Sequence, residues 1–210
     1  AKMPLPAPDT LPLELQNDFN YPPNNNSINK DLTYKGKFHH LYEYNFISSN
    51  DLLNPESKPH TISFDLYQAT KPLKNAPTIL CLPISGGNYF VSIYFAKFFA
   101  KRGYNAIIVK RRRAYKDLIT IESINTIIRQ MVIDHRQVID MLQQIPQCDA
   151  NNIAAIGVSK GGLKTAFISS FDPRIKAAVI ALAGGDLPYI LANSEESGVV
   201  KRRKKYLTKN

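Results

Sequence analysis

Ser159 stands in the run Gly157-Val158-Ser159-Lys160-Gly161, which fits the pattern G-x-S-x-G. The spacing has a chemical reason. A serine hydroxyl that attacks a carbonyl carbon must stand clear of the sheet that carries it. A strand therefore has to turn sharply into a helix, with the serine at the apex in strained dihedrals. Residues two before and two after the serine then lie where strand and helix nearly touch, and glycine removes the Cβ that would clash there. The helix start sets backbone N–H groups beside the serine. The amide of Lys160 is placed to donate to an oxyanion, and the helix dipole favours negative charge at that point. The bland alternative for so short a pattern is an ordinary strand-to-helix turn with a capping serine.

A nucleophilic serine needs a base, commonly histidine, held in place by a carboxylate. The four histidines, His39, His40, His60 and His135, all precede Ser159. His135 falls on the apolar stripe of a helix, where a core histidine is expected. His39 and His40 belong to an early strand and His60 precedes another, all away from the elbow. Asp186, in "AGGDLPY", is a possible acid whose competing role is a helix N-cap. Lys110, Arg111, Arg112 and Arg113 follow an apolar run and should emerge on the same edge as Ser159. With Lys160 they form a possible site for a carboxylate or phosphate, held by charge-assisted hydrogen bonds; solvated loop charge is the alternative. Cys81 and Cys148 supply neither a disulfide framework nor a metal spacing. Nothing here calls for a metal or a cofactor.

The elements that must position these residues follow from periodicity. In "KFHHLYEYNFI" and "TISFDLY" apolar residues alternate, which predicts antiparallel strands near a sheet edge. Residues 78–84, 106–109, 153–156 and 177–182 are short continuous apolar runs, as in strands covered on both faces of a parallel sheet. Helical segments separate them, over 89–102, over 123–145, from Ser159 to about Phe171, and near 199–207. The order β, β, then βαβαβαβα predicts an α/β fold with a mainly parallel sheet, antiparallel N-terminal strands and helices on both faces. Ligands in such sheets bind at the carboxyl ends of the strands, where Ser159 sits. Residues 1–34 are rich in Pro and Asn and read as an arm or linker before a domain over 35–210.

The chain has 210 residues, 44% hydrophobic and 21% charged, which suits one globular domain with a full core. No apolar run is long enough to span a membrane, and "AKMPLPAPDT" lacks the apolar core of a signal peptide. The compartment is left open. The formal net charge of +10 favours anionic partners. Nucleic acid is the rival class, but no binding motif appears, and the aromatics lie in core-like segments rather than among the basic runs.

With these elements in place, the chain resembles the α/β-hydrolase family over roughly residues 36–210. Four stretches carry the resemblance: "APTILCLPISGGNYF", "FAKFFAKRGYNAIIV", "DHRQVIDMLQQIPQCDANNIAAIGVSKGG" and "FDPRIKAAVIALAGGDL". The resemblance implies a serine hydrolase acting on carboxylic esters. It also implies a second oxyanion donor from the loop after the first parallel strand. Family members often carry His-Gly there, whereas this chain has Ile84-Ser85-Gly86-Gly87, so the donor is assigned to the backbone around Ser85 and Gly86. The family's acid and histidine follow the nucleophile on two further strands. The expectation is therefore that 1–210 is an incomplete portion of a longer polypeptide, with the catalytic histidine outside it. The alternative is a catalytically dead relative that binds an anionic ligand or nucleic acid.

Overall fold

Where the sequence alternates, strands β2 (His39–Ile47) and β3 (Thr61–Ala69) form. They pair antiparallel from His39 opposite Ala69 to Ile47 opposite Thr61, and bury Tyr44, Phe46, Ile62, Phe64 and Leu66. A further strand, β1 (Asn29–Lys35), pairs antiparallel with β2, with every residue exposed. The boundary expected at residue 34 falls inside this strand. Upstream of it, Phe19 is buried against Phe171, ring centroids 3.8 Å apart. The computed structural model describes residues 17–54, 60–71, 75–84, 88–112 and 123–207.

The continuous apolar runs form β4 (Ala76–Leu82), β5 (Asn105–Val109), β6 (Cys148–Val158) and β7 (Ile175–Ala181). Together with the first three they make one sheet in the order β1-β2-β3-β5-β4-β6-β7. Pairs β5–β4, β4–β6 and β6–β7 are parallel, and β3 joins β5 antiparallel. The helices are α1 (Phe90–Ala100), α2 (Ile124–Met141, continued by a 3-10 turn over Leu142–Gln144), α3 (Lys160–Phe171), α4 (Leu187–Asn193) and α5 (Ser197–Leu207). The sequence reading did not include β1 or α4.

Two apolar clusters lie on the two faces of the sheet, as a parallel sheet requires. On one face Ala96 and Ala100 of α1 meet Ile79, Cys81, Ala106, Ile108 and Ile156. On the other, Met131, Val132, Val138 and Ile139 of α2 and Ile168 of α3 meet Leu80, Leu82, Ile107, Ile153 and Ala155. The crossover through α1 carries the chain from β4 to β5 on one side, and β6 lies on the other side of β4. The strand order thus reverses at β4, and the crevice at the carboxyl ends there is where ligands bind in open sheets of this kind.

Candidate active site

Ser159 joins the carboxyl end of β6 to the first turn of α3. Its φ of 55° and ψ of −123° put a residue with a Cβ in backbone space that favours glycine. Two hydrogen bonds fix the turn: the Ser159 N–H donates to the Ala181 carbonyl at 2.8 Å, and the Leu163 N–H donates to the Ser159 carbonyl at 3.1 Å. The Ser159 side chain does not cap the helix, and the residue is exposed. So close is the approach of β6, α3 and β4 that a Cβ on Gly157 would fall inside the Gly161 carbonyl. One on Gly161 would meet the Leu82 carbonyl. The Thr165 hydroxyl donates to the Gly161 carbonyl at 2.9 Å and fills the remaining gap. Lys160 opens α3, so its amide sits directly after the serine on the chain.

The loop after β4 holds the other expected donor, and Ser85 and Gly86 lie outside the described residues. So does Arg113. The neighbouring cations do not stand as the sequence reading grouped them. Lys110 pairs with Asp65 of β3 at 2.7 Å. Arg112 makes a bidentate pair with Asp51, at 2.8 and 2.7 Å. These two charges are matched by buried or half-buried carboxylates from the β2–β3 half of the sheet, so they do not form an open anion site. Arg111 differs: its backbone N–H donates to the Tyr89 hydroxyl at 2.8 Å, and its guanidinium lies 4.7 Å from the Tyr89 ring centroid.

Asp186 is the N-cap of α4. Its Oδ1 accepts from the Tyr189 N–H at 2.9 Å, and the residue is exposed. No histidine hydrogen-bonds Ser159 among the described residues. His39 stands between the rings of Tyr34 and Tyr67, each 5.5 Å away by centroid. His60 lies between two carboxylates, Nε2 at 3.1 Å from Asp134 and Nδ1 at 3.4 Å from Asp51. His135 is buried on α2, with Nδ1 donating to the Met131 carbonyl at 2.7 Å and Nε2 without a partner. Burial, helped by the charge of Lys164, lowers its pKa to about 4, so the ring is neutral at pH 7.

Lys164 is the residue that sequence reasoning missed. It is 8% exposed on α3, between Gly161 and Ile168 on the buried side of the helix. Burial first, and then the charges of Lys160 and Arg111, lower its pKa to about 7. The sign that could have found it was a lysine at helical spacing within an apolar stripe. Clefts lined by Tyr21, Arg136 and Asp140, and by Asn75, Pro146 and Cys148, open at the amino ends of the parallel strands, away from Ser159. The crevice rule and the serine place the candidate site at the opposite edge. No group of three or more metal-ligating side chains converges among the described residues, and no described helix is long and apolar enough to cross a membrane.

Comparison with known proteins gives a partial family match and a clear structural one. Residues 135–202 match the family described as BAAT / Acyl-CoA thioester hydrolase C terminal. No curated protein matches the chain significantly. Among solved structures, an acetyl xylan esterase from Paenibacillus sp. superposes with a TM-score of 0.67 at 16% identity, over 93% of this chain and 64% of that one. Acetyl xylan esterase 1 from Thermoanaerobacterium sp. gives 0.63 at 11% identity, over 92% and 72%. A glucuronoyl esterase from Solibacter usitatus gives 0.54 at 13% identity, over 81% and 57%. At these identities the likeness is one of fold, and the chain spans less than two thirds of the first of these esterases.

Proposed function

We propose, starting from the α/β-hydrolase fold to which this chain belongs, that it carries the nucleophile of a serine hydrolase acting on small carboxylic esters. The observation behind this reading is the Ser159 turn: an exposed hydroxyl on a strained backbone, between two glycines that admit no Cβ, at the carboxyl edge of a parallel sheet. Such strain costs of order 1–3 kcal/mol and is retained where it serves a function.

The chemistry runs through an acyl-enzyme. Ser159 Oγ attacks the ester carbonyl carbon, and its proton passes to a histidine supplied from outside these 210 residues. The electron pair of the C=O bond moves to oxygen. That oxyanion is held by the Lys160 amide and by an amide near Ser85 and Gly86. Collapse expels the alcohol, which takes the proton from the imidazolium. Water then repeats the sequence on the acyl-enzyme and releases the acid. Asp186 is a weaker assignment as the acid, because capping α4 already accounts for its position.

Covalent labelling by a fluorophosphonate tests the reading. The full-length natural polypeptide should be labelled, and its Ser159→Ala variant should not. Labelling equal in the two would assign the nucleophile elsewhere. Absence of labelling in both would leave a non-catalytic binding protein.

A further inference from the structure

We propose that the outer face of α1, with the turn between β1 and β2 beside it, docks the protein peripherally on an anionic lipid surface. Such docking goes beyond the hydrolysis assigned to Ser159 and does not depend on it.

Helix α1, "FVSIYFAKFFA", carries five aromatic residues and a single charge. Its large and small residues face opposite ways. Ser92, Ala96 and Ala100, at four-residue spacing, are buried on the sheet. The large residues at the same spacing turn outward: Phe90 is 61% exposed, Tyr94 66% and Phe98 37%. A surface helix ordinarily turns its polar residues to solvent, and a contiguous apolar patch left exposed marks an interaction site. The stripe runs about 12 Å along the helix axis. Beyond its C-terminal end stands Phe38, half exposed on the turn between β1 and β2, with the Lys101 amine 5.8 Å from its ring centroid.

The charges around these rings select the partner. The Lys37 amine lies 5.5 Å from the Phe38 centroid. The Arg102 guanidinium lies 3.6 Å from the Phe98 centroid, and its Nη1 donates to the Phe98 carbonyl at 3.0 Å. Lys97 is exposed one residue before Phe98. Exposed Lys71 follows Thr70, whose N–H and hydroxyl donate to the Phe38 and Lys37 carbonyls at 3.3 and 3.0 Å. None of these five cations is paired with a carboxylate among the described residues. Residues 90–104 contain no Asp or Glu, and Asp65, on the same face of the sheet, is taken by Lys110 at 2.7 Å.

A second copy of this chain would set the same cations against themselves, and like charges oppose that contact. Nucleic acid has the right charge, but stacking platforms for bases line grooves, whereas these rings stand on the outside of a helix. A lipid interface suits both parts. The aromatic rings enter the apolar layer, while Lys and Arg stems run along them and leave their charges among the phosphates. Each cation near such a surface adds about fivefold in affinity.

Co-sedimentation of the full-length polypeptide with lipid vesicles tests the surface. Vesicles of phosphatidylcholine with about 30% phosphatidylserine should bind it about tenfold or more tightly than phosphatidylcholine alone, and sodium chloride should weaken the binding. Phe90→Ser combined with Tyr94→Ser should weaken it about tenfold. Lys97→Glu combined with Lys101→Glu should weaken it about thirtyfold, and Lys176→Glu combined with Lys201→Glu, an equal change in net charge on exposed lysines elsewhere, far less. All the replaced side chains are exposed, so each variant should keep the circular dichroism spectrum of the unsubstituted protein. A measurement without variants is acetylation by an amine-reactive reagent, read by peptide mass spectrometry. The anionic vesicles should protect Lys97 and Lys101 and leave Lys176 labelled. Absence of binding to the anionic vesicles, equal binding by the two pairs of charge variants, or unprotected Lys97 and Lys101 overturns the inference. A lipid-free dimer that Phe90→Ser with Tyr94→Ser dissociates overturns it in favour of a second copy. Retention of a single-stranded oligonucleotide without vesicle binding overturns it in favour of nucleic acid.

Discussion

Two buried side chains, Lys164 and Asp51, act on the pH dependence of stability in the same direction. Lys164 carries a pKa of about 7, lowered first by burial and then by Lys160 and Arg111. Above the ordinary lysine value, near pH 10.4, the amine is neutral in both folded and unfolded states and costs nothing. As pH falls toward 7, the unfolded chain takes up the proton and the folded one resists, so stability declines; below 7 the loss is complete. Lys164→Met should therefore stabilise the protein near neutrality by an amount on the order of several kcal/mol, and should flatten stability between pH 7 and 10. Urea unfolding at several pH values measures this. Asp51 works on the acid side. Burial alone would raise its pKa, but the Arg112 hydrogen bonds and charge, the Leu53 N–H and His60 outweigh burial and hold it below the usual carboxylate value. Its contribution is present above about pH 4 and is lost as pH falls through its folded value. Arg112→Met leaves that carboxylate buried without its bidentate partner, held only by the Leu53 and Asn54 N–H groups and by His60. It should cost roughly 3–5 kcal/mol and bring acid unfolding to higher pH, read as the midpoint of an acid titration by circular dichroism.

The β6–α3 junction concentrates strain and close packing in five residues. Gly157→Ala would drive a methyl into the Gly161 carbonyl, and Gly161→Ala one into the Leu82 carbonyl. Backbone cannot yield there without separating helix from sheet, so each variant should lose about 3 kcal/mol or more in denaturant unfolding. Ser159→Gly and Ser159→Ala both remove the hydroxyl, but only glycine relaxes the positive φ. The glycine variant should be the more stable by about 1 kcal/mol; equal stability would mean that the turn is unstrained. This junction was legible in the sequence because its constraint is local: a strand, a serine and two glycines at fixed spacing. The parallel strands were legible for a similar reason, since burial on both faces writes itself as an unbroken apolar run. β1 was not, because "NKDLTYK" is held by backbone pairing to β2 and buries no side chain. The partners of Lys110 and Arg112 were not legible for a different reason. Lys110 and Arg112 find Asp65 and Asp51 through tertiary pairing across the sheet, and nothing in the local run "KRRR" records those partners. Lys164 went unread because an apolar periodicity argument passes over a lysine that its neighbours bury.

Across the whole sheet, cover is uneven. Helix α1 lies over β3, β4 and β5 on one face, and α3 lies over β6 and β7 on the other. Val179 of β7 sits opposite Ile156, which belongs to the α1-side cluster, yet no described helix reaches across to cover it. Val179 is 54% exposed, Ile180 48%, and Leu182 just beyond the strand 88%. Residues Lys176 to Ile180 are all exposed, in a strand that pairs on one side only among the described residues. Parallel strands are ordinarily buried on both faces, and an apolar strand with an open edge offers its backbone N–H and C=O groups to any second chain. The positive net charge opposes association, but residues 175–181 contribute a single charge, Lys176. The 210-residue chain by itself should therefore self-associate through β7 and bind a hydrophobic dye. Sedimentation velocity over a concentration series should show a rising weight-average mass, and the double substitution Val179→Lys and Ile180→Lys should lower both that mass and the dye fluorescence. A chain that stays monomeric at high concentration, with dye binding unaffected by the two lysines, would mean that this edge is already shielded by residues the described strands do not include.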